Sequence, residues 1–271
     1  MKKLLSFVTR PSRYIGGEVN AVKKDLSRVK LKCALAFPDA YEVGMSHLGV
    51  QILYQILNSL PEIACERVYV PWTDMEGLMR ERAVTLTTLE SGIPLRELDF
   101  IGFSLQYELC YTNILNMLDL SGIPLYSKDR GKDHPLVIGG GSMAFNPEPV
   151  ADFFDVFVLG DGEEVVLELA EAIIEEKGKD RKEVLKRLTE IEGVYVPSFF
   201  DVSYNPAPAS SKQGEDGTIK EIIPLLDGYT RVRKRLVVDL NTLPPPTKPV
   251  VPFTRVIHDR LIFEIARGCT R

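Results

Sequence analysis

Between residues 31 and 177 the chain alternates short, nearly all-apolar runs with stretches whose apolar residues recur every three or four positions. LKCALAF (31–37), ACERVYV (64–70), DFIGFSL (99–105), PLVIGGG (135–141) and DVFVLG (155–160) read as five β-strands. After the first strand, loop residues give way to a helix in which Leu48, Ile52, Ile56 and Leu60, with Leu53 and Leu57 beside them, make one apolar stripe. DMEGLMRERA (74–83), ELCYTNILNMLDLSG (108–122, closed by Gly122) and a run from Glu163 to about Lys177 predict further helices, and another over 180–191 packs on the outside. Strands that do not alternate suit a parallel sheet covered by helices on both faces. The expected fold class is α/β: a five-stranded, open, doubly wound, Rossmann-like parallel sheet with every strand's C-terminal end on one edge.

The texture changes after about residue 193. GVYVPSFFDV reads as an exit strand and SYNPAPASSKQGEDGT as a loop. IKEIIPLL (219–226) and YTRVRKRLVVDL (229–240) are expected to pair as an antiparallel hairpin. NTLPPPTKPVVPFT carries five prolines in fourteen residues, stiff and extended like a linker, and RLIFEIA after it reads as one more strand. The organisation expected is an extension over 1–30, an α/β domain over 31–193, a hairpin and Pro-rich linker over 194–256, and the start of another domain over 257–271.

Composition narrows the function classes. The net charge is −5 and the pI about 5.4, which argues against a nucleic-acid face as the main business. Arg231, Arg233, Lys234 and Arg235 form one basic cluster, read as a solvated strand end. No apolar run approaches the roughly 20 residues needed to span a bilayer. The N-terminal MKKLLSFVTRPSRY has too short an apolar stretch for a signal peptide, so a cytoplasmic location is expected. Cys33, Cys65, Cys110 and Cys269 show no paired spacing, and the first three lie in apolar runs that read as core.

Ligands of open parallel sheets bind beyond the strand C-termini, so the loops there carry the candidate chemistry. They hold Pro38, Asp39, Tyr41 and Gly44 after the first strand, and Ser104 and Gln106 after the third. Gly139, Gly140 and Gly141 follow the fourth, and Gly160, Gly162 and Glu163 the fifth. Three glycines in a row let a flat ligand approach the backbone, or make a tight turn. Asp161 and Glu164 have capping-box spacing at the start of a helix, which leaves the two flanking glycines unexplained. His47 reads as a cap or surface residue, with a ligand role the alternative. No dinucleotide fingerprint, phosphate loop or nucleophile elbow is present.

Taken together, PLVIGGG, the D-x-x-x-x-G-x-G-E turn in DFFDVFVLGDGEE, and the Pro-rich crossing to FEIARGCTR resemble the N-terminal half of a cobalamin-binding-type radical S-adenosylmethionine protein. FPDAYEVGMSHLG and ARGCTR are similar to an uncharacterised subfamily of that kind, and the resemblance covers essentially the whole chain. It implies a parent with a [4Fe–4S] cluster held by three cysteines, one iron being left open for S-adenosylmethionine. Cys269 would be the first of those cysteines, the chain stopping before the other two. A lone cysteine holds no cluster, so no radical activity is expected of this chain by itself. The resemblance also implies cobalamin as a possible cofactor, with Ser104, Gly139, Gly140, Gly160 and Gly162 lining its crevice and Pro38 to Gly44 forming the lip. Tyr41 stands where many such domains place a cobalt-ligating histidine, and Ser104-Leu105-Gln106 only approximates the usual S-x-L. The implied partners are a small-molecule cofactor and the remainder of the radical domain. The alternatives are a non-catalytic binding module and a structural cap whose crevice is filled by side chains such as Tyr41 and Tyr107.

Overall fold

The computed structural model describes residues 1–206, 215–243 and 245–268. Strand β1 (Leu31–Phe37) is followed by a single helical turn, α1 (Tyr41–Gly44), and by helix α2 (Leu48–Ser59). Next come β2 (Ile63–Tyr69), α3 (Thr73–Glu81), β3 (Phe100–Ser104), α4 (Tyr111–Leu120) and β4 (Leu136–Gly140). Then follow β5 (Val156–Val158), α5 (Gly162–Glu175), α6 (Arg181–Leu188) and β6 (Val194–Tyr195). The sheet order is β2-β1-β3-β4-β5-β6. The first five strands run parallel, as the apolar runs predict, and β6 adds an antiparallel edge strand.

The strands are apolar throughout because both faces are covered. Cys33, Leu35 and Phe37 of β1 point into one core with α2, α5 and α6, while Ala34 and Ala36 point into the other with α3 and α4. The chain leaves β1 toward β2 on one side, and β3 lies on the other. That reversal opens a crevice at the strand C-termini between β1 and β3.

The N-terminal extension is tied in by ionic groups. Arg67 of β2 is buried, with Glu18 at 2.9 Å and Glu90 at 2.6 Å, both also buried. The Tyr41 hydroxyl donates to Glu18 at 2.9 Å.

Beyond β6 the expected pairing is corrected. The hairpin joins β7 (Phe200–Pro206) to β8 (Glu215–Pro224), not 219–226 to 229–240. The partner expected for the hairpin is pinned elsewhere: the Arg235 N–H donates to Leu159 O at 2.8 Å, and Asp161 N–H donates to Arg235 O at 3.0 Å, so this segment extends the sheet edge beside β5. Residues 260–266 form no strand, since an extended segment needs a neighbour for its N–H and C=O groups and finds none among the described residues. The end of the Pro-rich stretch and the residues just after it are strapped down. Val251 N–H donates to Val19 O at 3.0 Å, Val250 N–H to Gln51 Oε1 at 3.1 Å, and His258 N–H to Ser46 Oγ at 3.0 Å. Among the described residues, no helix is long and apolar enough to cross a membrane.

Candidate functional site

A cleft of about 700 Å³ opens at the C-terminal edge of the sheet, between α2 and α5. Its floor follows from strand geometry. Residues two apart on a strand share a face, and Ser104 lies beside Gly140 in the parallel register, one step on from Gly102 beside Ile138. Gly102, Ser104 and Gly140 therefore lower the floor at the strand ends, while Leu35, Ile138 and Val158 on the same face keep it apolar. A Cβ on Gly140 would find nothing nearer than Val158 Cβ at 3.9 Å. Leu48, Ile52 and Leu53 of α2 form one wall, and Val165, Val166 and Leu169 of α5 the other. The depth of the cleft is thus apolar and its polar groups gather at the rim.

His47, Gln106 and Ser142 stand at that rim. His47 caps α2, its Nδ1 accepting from Val50 N–H at 3.3 Å, so the neutral ring carries its proton on Nε2. Burial pushes the His47 pKa below its ordinary value, partly opposed by a hydrogen bond with Gln106. Gln106 Nε2 donates to Ser104 Oγ at 2.8 Å, which leaves the Ser104 O–H free to donate elsewhere. Gly141 turns the chain at φ +115°, where a Cβ would lie 2.6 Å from Leu105 O.

The GDGEE turn does more than start a helix. Asp161 occupies the position before α5 but makes no side-chain cap. Its Oδ2 accepts from Val237 N–H at 2.8 Å and its Oδ1 lies 3.0 Å from Arg267. Glu163 and Glu264 also hold Arg267, at 2.6 and 2.7 Å, while Glu164 and Glu168 hold Arg235 at 2.8 and 2.7 Å. The capping-box reading of Asp161 and Glu164 is therefore corrected: charge-assisted bonds to two arginines outcompete the helix's own N–H groups. Hydrogen bonds that Arg267 donates to Glu264 and Glu163 raise its pKa, keeping it a fixed cation at the rim. Gly160 is required by the same contact, because at φ +113° any Cβ would collide with the Arg235 carbonyl oxygen.

Of the candidate residues, Ser104, Gln106, Gly140, Gly141, Gly160, Gly162 and Glu163 line this one cleft. Gly139 faces the other core, where its Cβ would meet Leu105 and Phe157 at 2.9 Å. Pro38, Asp39, Tyr41 and Gly44 lie outside the cleft: Asp39 accepts from the Tyr107 hydroxyl at 2.8 Å, Pro38 O from Asn113 at 2.9 Å, and Gly44 leaves room for the Tyr69 ring. Tyr41 is 1% exposed within the core, and neither it nor Tyr107 fills the cleft. Cys269 lies outside the described residues. His47 is the helix cap that the sequence suggested and also lines the cleft, while the residues missed by sequence reasoning are Phe145, Lys234, Leu236, Glu264 and Arg267. For two of them a signal existed: in KRLV, Lys234 and Leu236 alternate with Arg235 and Val237, and the alternation sends the first pair into the cleft.

A family model described as "Radical SAM proteins, N-terminal" matches residues 49–197, more than half of the chain. The uncharacterized protein MJ0966 of Methanocaldococcus jannaschii is 26% identical over 243 residues. That alignment takes in 88% of this chain and 39% of MJ0966, so the chain spans well under half the length of this relative. No solved structure matches the chain.

Proposed function

The chain belongs to the family of radical SAM N-terminal regions, and on that premise we propose that it is the cofactor-holding α/β portion of a radical S-adenosylmethionine protein, its cleft taking the nucleotide tail of a cobalamin. In this reading residues 1–30 brace the domain 31–193, residues 194–256 cross back over it, and 257–271 lead into the cluster-binding part, with Cys269 as its first thiolate ligand.

The observation that carries the proposal is the flat, apolar slot whose rim also anchors the segment leading to Cys269 through Arg267. The residues present fit a planar aromatic base. Gly140 leaves backbone for it to lie against, Leu53 and Val166 flank it, and the Ser104 O–H is free to donate to a ring nitrogen. Tyr41, sealed in the core, supplies no ligand to a metal at the rim. When bound, cobalamin supplies methyl-group chemistry, and the cluster with S-adenosylmethionine supplies radical chemistry. This chain's own residues bind the tail, exclude water from it, and hold the start of the cluster segment beside it.

Titration with hydroxocobalamin, followed by the visible spectrum and by co-elution on gel filtration, tests the reading. A saturable change is expected for the wild-type chain. Gly140→Phe, which fills the slot from an ordinary strand position, is expected to keep the circular dichroism of the parent and lose the change. No response from the wild type overturns cobalamin binding and leaves the α/β domain as a cap over the radical domain.

A further inference from the structure

A second pocket, of about 510 Å³, lies away from the cleft, at the N-terminal ends of β4 and β5. Lys128, Arg130, Arg181 and Lys182 line it, against a single carboxylate, Asp155. That carboxylate is already committed. Its Oδ2 accepts from Arg181 Nη2 and from Val137 N–H, both at 2.7 Å, and its Oδ1 accepts from Arg181 Nε at 3.2 Å. Arg181 is further satisfied by the carbonyls of Gly131, His134 and Pro135.

Arg130 is not satisfied. Its side chain is buried and lies 3.6 Å from Asp155, beyond hydrogen-bond distance. Nη2 donates to Phe153 O at 2.7 Å, but Nε and Nη1 have no partner among the described residues. Burial, together with the neighbouring Arg181 charge and against the pull of Asp155, brings its pKa down to about 10. Two guanidinium groups thus share one carboxylate, and the one left short of bonds is the more deeply buried. A buried charge with open donors is costly unless something completes its shell.

We infer that this pocket binds a phosphorylated small molecule, the phosphoryl oxygens completing the Arg130 shell with Lys128, Lys182 and the hydroxyls of Ser127 and Ser198. Guanidinium groups suit phosphoryl oxygens by geometry and by charge. The pocket is too large for bare phosphate, and Leu185, Phe199, Leu225 and Leu226 offer an apolar wall for the rest of the ligand. The site is independent of the cleft and of any cobalamin.

The test is thermal denaturation of the chain with inorganic phosphate or phenyl phosphate, against sodium chloride at equal ionic strength. Both phosphates are expected to raise the midpoint saturably, phenyl phosphate at lower concentration. Arg130→Met is expected to hold or raise the midpoint in chloride and to lose the phosphate-dependent shift. Lys182→Gln weakens binding about tenfold, one charge-assisted bond being worth that much. A shift of equal size in Arg130→Met and wild type, or none beyond chloride, overturns the site, the second result meaning that water alone completes the shell. If Arg130→Met does not fold, the exposed pair Lys128→Gln/Lys182→Gln decides: a full phosphate shift in that variant overturns the assignment. Gly140→Phe leaves the shift intact, so this site and the cleft are tested separately.

Discussion

Replacing Gly160 by alanine probes how the C-terminal segment is held. At φ +113° this backbone is open only to glycine, and an added Cβ would run into the Arg235 carbonyl, a rigid group that cannot rotate aside. Strain at such a position is of order 1–3 kcal/mol. The contact that must give way is the latch in which Arg235 N–H bonds Leu159 O and Asp161 N–H bonds Arg235 O. The ion pairs from Arg235 to Glu164 and Glu168 are open to solvent at the carboxylate end and add little to the latch. Taking about 2 kcal/mol off the latch raises its open population roughly 30-fold, at tenfold per 1.4 kcal/mol. Amide hydrogen exchange reads this directly: the Arg235 and Asp161 amides are expected to exchange about 30 times faster in the variant, while those of β1 and β3 keep their protection. If the two amides change by less than about threefold, the parallel bridge is not what fixes the segment.

Two further perturbations address the body of the domain. Arg67→Met leaves Glu18 and Glu90 buried without their shared cation, so urea unfolding is expected to show a loss of about 3–5 kcal/mol; a loss under about 1 kcal/mol refutes the triad's role. For His47, burial holds the folded-state pKa below the unfolded value of about 6.5, so as the pH falls past 6.5 the unfolded chain takes up the proton first and stability declines until the lower folded value is passed. His47→Asn keeps a capping side chain but not the titration, and its stability is expected to fall less than that of the wild type between pH 7.5 and 5.5; parallel slopes for the two proteins contradict this.

Much of the fold was legible because a sheet covered on both faces demands apolar strands, and no other arrangement accounts for five such runs between amphipathic helices. Half of the cleft was legible for a related reason: Gly140, Gly160 and Ser104 sit at strand ends, where ligands of such sheets lie. Its other half was harder to see. The alternation in KRLV gives Lys234 and Leu236 a common face, but only the bond between Arg235 and Leu159 turns that face to the cleft, and Arg267 reaches the rim through ion pairs with Asp161 and Glu163 more than a hundred residues away, which no local pattern announces. The hairpin was mispaired for the same reason, since IKEIIPLL has equally apolar runs on either side of it and register alone chooses between them. Asp161 and Glu164 misled because the spacing that caps a helix also suits two arginines, and the arginines are charged.

The strap from Val250 to His258 has an entropic consequence. A free linker of this length would let its end wander through a large volume, and each docking of that end against the cleft would have to overcome the lost freedom anew. Here the hydrogen bonds to Val19, Gln51 and Ser46 remove that freedom once, when the domain folds. Only the short run from His258 to Arg267 is then left to be placed, and the ion pairs of Arg267 with Asp161 and Glu163 bring its end to the cleft. Its effective concentration there is set by folding stability rather than by chain statistics.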